Sequence, residues 1–466
     1  MMRSLFSGVS GLKVHQTKMD VIGNNIANVN TVAYKSMSVT FSEVFYQTTQ
    51  SASGANATTQ RGGTNAKQIG LGSNVGAIST SITSEGASQR TDNAFDLKIG
   101  GEAFFIVQSN GEQLFTRAGN FTLDEAGNLV TSSGAYVMGW QVDSDGVIQK
   151  DSVTPLQPRS AEFAYTAPEA TSAYTVSGNI NKQDTNFLNG NPIPMTVRFY
   201  DSLGYEYTAN LSVTQDADDA NKYTVDLSSV YCNNKLTNLS VSQSPIATIV
   251  FDPVTGAPTV TGSTVDADSN FIFSFAEGGF TTASQADMGL TDEEWAEVTQ
   301  IDTGSSLITQ LANGIAVDYS QLTLLADETK LDGSFGSIDG LGTGKAVGTL
   351  SGISISNDGC IVGSYTNGDV ATLGQIAVAT FSNANGLEKE GDNYYKATLN
   401  SGLFDGVGYD ITSTGGTISS GVLEMSNVDL STEFTEMITT QRGFQANSRI
   451  ITVSDTLIEE LVNLKR

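Results

Sequence analysis

The amino-acid sequence predicts a mainly β, multidomain protein with one α-helix at each end. Its 466 residues suffice for several domains, at roughly 150 residues each. The 48 glycines and the 16% charged residues are typical of turn-rich β domains and not of disordered chains. All eight prolines lie between Pro155 and Pro258, so the two ends contain no residue that forbids a long helix.

The N-terminal helix is predicted from a stripe of apolar residues. These residues recur every seven positions, or at the offsets between, and so lie along one face of a helix that ends near Asn28. The stripe consists of Leu5, Val9, Leu12, Met19, Ile22 and Ile26.

The C-terminal helix is predicted over about 430–464, after a start signal at 426–429. Its apolar stripe consists of Leu430, Phe434, Met437, Phe444, Ile451 and Ile458. Neither helix can bury its stripe alone, because an isolated apolar face in water has no compensating partner. We therefore expect the two helices to pair as a coiled-coil-like inner domain and to provide the interface with other subunits.

The region between the helices is predicted to be β-rich, except for its first part. Residues 47–74 contain few large apolar groups and read as a linker. Strands begin near residue 75, with AFFIVQ at 103–108 and a turn at Asp124–Asn128. A second block at 353–381 surrounds the turn Asn357–Gly359.

Two further local signals lie in the middle of the chain. Val197 and Phe199 precede the turn Asp201–Gly204, and alternating apolar residues follow it, which predicts a hairpin. Thr291 and Glu294 form a capping box ahead of Trp295, which predicts one short helix.

Charge is concentrated in the middle of the chain. Residues 151–350 hold 25 of the 50 acidic residues and seven Lys or Arg, a net charge of 7 − 25 = −18, so this part must face solvent. We expect the chain to run outward through successive domains and to return. The expected division is a helical domain of 1–32 with 426–466, a connector at 33–74, an inner β domain of 75–155 with 350–425, and an outer acidic β domain at 156–349.

The charge of the whole chain disfavours two classes of partner. With 23 Lys and Arg against 50 Asp and Glu, the net charge is −27, which repels nucleic-acid phosphates and anionic lipid surfaces. No stretch reaches the ~18 apolar residues that a membrane span needs, and the N-terminus shows no signal peptide. We expect neither nucleic-acid binding nor membrane insertion.

The candidate catalytic and cofactor motifs all have simpler structural interpretations. His15 is the only histidine and belongs to a helix face, far from any nucleophile elbow. The run Gly340–Lys345 resembles a phosphate-binding loop, but Asp339 replaces its first glycine and Ala346 its magnesium-binding hydroxyl, so we interpret it as a turn. The sequence therefore predicts a protein without enzymatic activity or cofactor.

The acidic and thiol groups give no metal site. Asp143–Gly146 matches only the start of a calcium loop, and Asp216–Asp219 reads as a solvated loop. Cys232 and Cys360 are too few for a disulfide framework or a zinc site, and each is predicted to be a buried small hydrophobe, although Cys232 could instead be exposed and reactive.

Both ends of the chain carry motifs that resemble those of a known protein family. The stretches SLFSGVSGLKVHQTKMDVIGNNIANVNTVAYK at 4–35 and SNVDLSTEFTEMITTQRGFQANSRIITVSDTLIEELVNLKR at 426–466 resemble the terminal signatures of the bacterial flagellar axial proteins, the rod, hook and hook-junction family. GGEAFFIV at 100–107 is similar to their common β domain. The matching motif residues are Asn24, Asn25, Ala27, Asn28, Asn30, Thr31, Lys35, Ser426, Asn427, Val428, Gln441, Arg442, Ala446 and Asn447. Ala33 and Phe444 stand where the family usually has Gly and Tyr.

The resemblance implies a structural subunit and not an enzyme. Length and the segment FYDSLG at 199–204 point to the hook subunit, which polymerises into a curved tubular joint between rod and filament. Its implied partners are itself, the rod, the hook cap, the hook–filament junction proteins and the flagellar export apparatus, and its implied location is the extracellular flagellum. Some hook proteins also join a cysteine to a lysine of the next subunit, which would implicate Cys232.

Three alternatives stay open from the sequence. The chain could be a distal rod or hook–filament junction subunit. It could be an enzyme on a flagellar scaffold, which would need a pair of acids in a cleft. It could also be an adhesin whose 165–345 region binds a host ligand.

Overall fold

The computed structural model describes residues 2–55, 62–143, 146–233, 235–241, 245–262 and 315–464, with short stretches at 271–273, 280–282 and 298–299 and single residues at 284, 291 and 296. The chain divides into two compact units. The first, here called the termini unit, consists of Met1–Phe163, Ser351–Ser364 and Val370–Arg466. The second, the central unit, consists of Ala164–Leu350 and Tyr365–Asp369.

Three α-helices are described, and the two long ones lie at the ends of the chain. The helices are α1 (Met2–Ala27), α2 (Thr185–Leu188) and α3 (Leu430–Asn463). Asp429 caps α3, since its side chain accepts a hydrogen bond of 2.9 Å from the backbone N–H of Ser431. Both predicted terminal helices are therefore confirmed, each within about one residue of its expected end.

The described strands number thirty-three. Those before the central unit are β1 (Met37–Glu43), β2 (Tyr46–Gln50), β3 (Lys67–Gly70), β4 (Ser73–Thr80), β5 (Ser88–Arg90), β6 (Leu97–Gly100), β7 (Phe104–Ser109), β8 (Glu112–Thr116), β9 (Phe121–Leu123), β10 (Leu129–Thr131), β11 (Tyr136–Gln141) and β12 (Thr154–Pro155). The next are β13 (Tyr165–Thr166), β14 (Ala173–Ile180), β15 (Ile193–Tyr200), β16 (Glu206–Gln215), β17 (Lys222–Cys232), β18 (Lys235–Leu236), β19 (Leu239–Val241), β20 (Ala247–Phe251), β21 (Pro258–Gly262), β22 (Phe271–Phe273), β23 (Phe280–Thr282), β24 (Ile315–Leu324), β25 (Lys330–Phe335) and β26 (Gly348–Ile355). The last are β27 (Cys360–Tyr365), β28 (Val370–Ile376), β29 (Val378–Ala379), β30 (Glu388–Gly391), β31 (Tyr394–Lys396), β32 (Thr417–Ser420) and β33 (Val422–Glu424).

The core of the termini unit lies on an antiparallel sheet. Its strand order includes β27, β28, β11, β7, β8, β31 and β30, so strands from both halves of the chain alternate in one sheet. Strand β7 is buried from Phe104 to Val107, because its apolar run faces neighbours on both sides. Phe104, Phe115 and Trp140 belong to one apolar cluster of this unit. The strand predicted at 103–108 is therefore confirmed.

The central unit has a core shared by two sheets. One has the order β22, β24, β14, β25, and the other β15, β16, β17, β20, β21. The predicted hairpin is β15–β16, in which Phe199 pairs with Tyr207 across the turn. Within that turn Gly204 takes a positive φ of 85°, and its N–H donates to the carbonyl of Asp201.

Residues 37–80 differ from the expected connector. Strand β1 pairs with β4 and β2 with β3, both antiparallel, so the polar stretch forms a two-step hairpin. Nearly all of these residues are exposed. A strand without a buried face shows no apolar alternation, which is why the sequence pattern did not reveal it.

The glycine-rich run 340–345, interpreted as a turn, packs against neighbouring residues of the central unit. Gly342 and Gly344 take positive φ and pack against Ser172 and Thr171, while Lys345 forms ion pairs with Asp369 (3.3 Å) and Glu169 (3.6 Å). This loop therefore presents no free amine of the kind that a phosphate site requires.

The acidic motifs are engaged in the same way. Asp143 accepts hydrogen bonds from the side chain of Gln149 (2.7 Å) and the N–H of Val147 (3.1 Å), and Asp216 pairs with Lys222 at 2.7 Å. Among the described residues, no three His, Cys, Asp or Glu side chains are grouped as metal ligands.

The remaining signals have mixed outcomes. Cys232 is buried in β17, as predicted, and burial raises the pKa of its thiol, whereas Cys360 is only half-buried. Of the capping box, Thr291 is a described residue, whereas Glu294 and the following Trp295 lie outside the described residues. Over the described part of the chain, no helix has the length and apolar character to span a membrane.

Candidate assembly site at the paired termini

Helices α1 and α3 pack against each other in antiparallel orientation. Ser4 meets Ser454 (Oγ to Oγ, 3.5 Å) at one end, and the Asn25 amide donates to Glu433 (2.9 Å) at the other. Between them Lys18 forms an ion pair with Glu436 at 3.1 Å. Residue numbers rise along one helix as they fall along the other, which defines the orientation.

Glycines allow the two helices to approach closely. A Cβ added to Gly11 would lie 2.6 Å from the Asn447 amide nitrogen, and one added to Gly443 would lie 2.7 Å from the His15 ring. Gly8 similarly faces Ile451. The α1 residues that meet α3 follow one another at intervals of four and three positions, which is the periodicity of a coiled coil. We call this line of contact the seam. On α1 the seam contains Ser4, Gly8, Gly11, His15, Lys18 and Asn25.

The predicted interface residues differ widely in burial. Ile22 is buried. The half-buried ones are Leu5, Leu12, Met19, Ile26, Met437, Phe444, Ile451 and Ile458. The exposed ones are Val9, Leu430 and Phe434. The seam residues on α1 are small or polar, and a search for apolar residues passes over them.

A row of apolar residues in the last part of α3 is largely open to solvent in the single chain. Its residues are three or four positions apart and therefore share one side of the helix. This face, here called the open stripe, consists of Ile450, Val453, Leu457, Leu461 and Leu464. Their exposed fractions run from 44% to 81%. Large apolar side chains exposed together in this way are a feature of interaction surfaces.

Asn25 joins three elements at the end of α1. Its side-chain amide, 1% exposed, donates to the Met37 carbonyl (2.8 Å) and to Glu433 (2.9 Å), and its oxygen accepts from the Met37 N–H (3.0 Å). The amide thus binds β1 and α3 at once. A motif asparagine at this position is explained because it supplies donors and an acceptor on one short side chain.

The other N-terminal motif residues shape the turn after α1. Asn28 donates to the Asn24 carbonyl (2.9 Å), Thr31 donates to the Asn28 side chain (3.1 Å), and Asn24 donates to the Tyr34 hydroxyl (3.1 Å). Ala33 is buried with a positive φ of 54°, a backbone conformation in which glycine carries no steric cost.

Of five further motif residues, two make contacts between parts of the chain and three are exposed. Asn427 accepts from the Ser36 N–H (2.7 Å) and donates to the carbonyls of Ser81 (3.0 Å) and Ser84 (3.2 Å), so it joins the entering and returning chain segments. Asn447 lies in the seam. Asn30, Gln441 and Arg442 are exposed.

A buried charge cluster joins the two ends of the chain to the sheet. Glu424 accepts from the Lys35 amine at 2.8 Å and lies 3.8 Å from Arg117 Nη1, and each of the three side chains is no more than 1% exposed. Lys35 also donates to the Ser84 carbonyl (2.6 Å), and Arg117 donates to the Gly101 carbonyl. We name Lys35, Arg117 and Glu424 the charge cluster.

Burial is the dominant electrostatic influence on this cluster. It lowers the pKa of the Lys35 amine and of the Arg117 guanidinium, while Glu424 opposes the shift in both. One carboxylate thus faces two buried cations. Sequence reasoning singled out Lys35 as a motif residue but missed Glu424 and Arg117.

We expect the α1–α3 pair to lose stability as pH falls through about 6.5. His15 packs on Gly443 and edge-on to Phe41 (5.8 Å), and burial together with nearby Lys18 lowers its pKa from 6.5. The unfolded state therefore takes up the proton first, so this stabilising contribution is complete above pH 6.5 and decreases below it.

Hydrogen exchange of α1 amides at pH 7.5 and 5.5 measures the effect, with His15→Gln as the comparison. Protection in the wild type should fall more between these pH values than protection in the variant. Equal losses in both proteins would contradict the assignment to His15.

Three protein-family models match this chain, two at its ends and one over residues 98–179. Residues 5–35 match the family model "Flagella basal body rod protein", residues 98–179 match "Flagellar hook protein FlgE/F/G D1 domain", and residues 419–464 match "Flagellar basal body rod FlgEFG protein C-terminal". Apart from Ser4, the seam residues of α1 lie within these matches, as do Lys35, Arg117 and Glu424.

Curated relatives match over the whole chain. The flagellar hook protein FlgE of Borreliella burgdorferi is 35% identical, and that of Treponema pallidum 33% identical, each covering 100% of both chains. The flagellar basal-body rod protein FlgG of Bacillus subtilis is 30% identical, also over 100% of both. The chain belongs to the flagellar hook protein family.

Proposed function

We propose that the protein is the structural subunit of a flagellar hook and assembles with copies of itself into a curved tube that transmits torque from rod to filament. The observation that carries the proposal is the open stripe on α3. Helix α3 contacts α1 along the seam, and Ile450 of the open stripe approaches Gly8 there, whereas the other four residues of the stripe are 47–81% exposed. Its burial between subunits would supply the apolar area that a stable polymer needs.

The arrangement of the termini supports assembly as the role of this site. Asn25 and the charge cluster tie the paired helices to β1 and to the sheet of the termini unit. Force on the helices would therefore be passed to the folded β structure through buried polar contacts. We infer that this is how a tube made of such subunits resists twisting.

The placement of the parts in the tube follows the same reasoning. We propose that 1–32 with 426–466 lie at the inner radius and that the acidic segment 156–349 lies outermost. This segment has seven Lys or Arg and 24 Asp or Glu, a net charge of 7 − 24 = −17, which suits small, wet contacts that exchange as a bent tube rotates. The rod, hook cap, junction proteins and export apparatus are the partners proposed for an extracellular flagellar subunit.

The rod alternative is less well supported. The two hook relatives are 35% and 33% identical to the chain, against 30% for the rod relative. No described feature favours the enzyme or the adhesin over the hook subunit.

Electron microscopy of the purified full chain at increasing concentration tests the proposal. We expect tubes above a threshold concentration, and curved tubes distinguish a hook from a straight rod. Monomer at all concentrations, with both units folded, would contradict self-assembly; straight tubes alone would favour the rod.

A further inference from the structure

A turn in the termini unit holds two leucines in solvent. Leu399 is 94% exposed and Leu403 is 79% exposed, and both lie in the loop between β31 and β32. Single exposed leucines are common on protein surfaces, so exposure alone decides nothing. What distinguishes this pair is how the backbone beneath it is held.

The turn is braced by partly buried hydrogen bonds. Ser401, 1% exposed, accepts from the Thr398 N–H (2.8 Å) and donates to the Thr398 carbonyl (2.9 Å). Thr398 in turn donates to the Gly386 carbonyl (2.6 Å). Gly386 lies so close that an added Cβ would be 2.9 Å from the Ser401 nitrogen. The backbone between Thr398 and Ser401 therefore has little freedom.

The residues after the turn are fixed as well. Phe404 packs edge-on to Phe115, with 5.4 Å between ring centres, and Phe115 belongs to the core of the unit. Asp405 then accepts from the N–H groups of Val407 (3.0 Å) and Gly408 (3.1 Å). Leu403 is thus attached directly to an anchored aromatic residue.

We propose that Leu399 and Leu403 form a docking knob for a second copy of this chain. Apolar side chains on a backbone that is already held in place lose less conformational entropy on binding than those of a mobile loop. A mobile loop would carry the same leucines at a higher entropic cost. The bracing by Ser401 and Phe404 supplies this preorganisation.

The proposed self-assembly makes a second copy the occupant, and the charge around the knob permits its approach. Copies with a net charge of −27 repel one another, so they can approach closely only where charge is sparse. Residues 397–404 contain no charged side chain, and the nearby Asp405 carboxylate is engaged with backbone N–H groups. This inference rests on the proposed self-assembly, and it adds a contact outside the terminal helices.

The double variant Leu399→Ser with Leu403→Ser tests the knob. We expect the concentration needed for tube formation to rise by roughly tenfold or more, since each subunit contact would lose the burial of two leucine side chains. The control is Leu188→Ser with Leu341→Ser, two leucines of the central unit that are 67% and 72% exposed. That control should change the threshold by less than about twofold, as for substitutions outside an interface hot spot.

The outcomes separate the two proposals. If the wild type forms no tubes, self-assembly itself fails. If the wild type forms tubes and the folded double variant assembles at the same concentration, only the knob is overturned.

A second measurement covers the case in which the double variant does not fold. In Leu399→Cys, maleimide should label the new thiol rapidly in the monomer and roughly tenfold more slowly in tubes, because an interface core excludes solvent. Equal labelling rates in monomer and tubes would overturn the proposal.

Discussion

The Glu424→Ala variant is expected to lose about 3–5 kcal/mol of unfolding free energy in the termini unit, because removing one partner of a buried ion pair leaves an uncompensated charge. Here the substitution removes the counter-ion of two buried cations at once, since Lys35 lies 2.8 Å and Arg117 lies 3.8 Å from the same carboxylate. Both cations are 1% exposed, so water cannot replace the missing anion without opening the structure.

Urea unfolding followed by hydrogen exchange in β5 and β33 measures this loss. Glu112→Ala is the matched control, because Glu112 also pairs with a lysine, Lys396, but both side chains are about half exposed. A surface pair of that kind contributes about 0–1 kcal/mol. Equal effects of the two substitutions would show that the charge cluster is not the tie between the chain ends.

The sequence could not have revealed this cluster. Lys35 and Glu424 are 389 positions apart, and Arg117 lies on a third segment. Charged residues carry no periodicity that betrays burial, and each of these reads in isolation as a surface residue. The one available signal was Glu424 itself, a lone acid within the apolar run GVLEM at 421–425.

The terminal helices, in contrast, could be predicted from the sequence. A seven-residue apolar spacing predicted both helices, and they are α1 and α3. The same spacing does not register Gly8 and Gly11 of the seam, which have no apolar side chain and allow α3 to approach closely. On α3, half-buried Ile451 faces Gly8 while Leu430 and Phe434 of the predicted stripe are exposed.

Within the β regions, prediction succeeded where strands have a buried face. β7 and the hairpin β15–β16 alternate or run apolar because packing selects their side chains. The hairpins of 37–80 are held mainly by backbone pairing, which any polar residue can provide. A sequence pattern indicates which residues are buried, and it reveals secondary structure only where one face of an element is buried.

We expect Leu457→Glu to abolish tube formation while leaving the fold of the single chain unchanged. Leu457 is 47% exposed at the centre of the open stripe, so a carboxylate there remains hydrated in the monomer. In a polymer the same carboxylate would be buried against apolar surface, at a cost of several kcal/mol per contact. Because every subunit repeats the contact, the threshold concentration should rise by at least about a hundredfold, since each 1.4 kcal/mol is a factor of ten.

Thr452→Glu provides the matched control for that variant. It adds the same charge to the same helix, and Thr452 is exposed. Five residues before Leu457, it lies about 140° away around the helix, at 100° per residue, and so outside the open stripe. Sedimentation and electron microscopy should show tubes for Thr452→Glu and monomer for Leu457→Glu, with unchanged thermal unfolding of both. If Leu457→Glu forms tubes at the wild-type concentration, the open stripe faces solvent in the polymer, and assembly must use another surface of the helices.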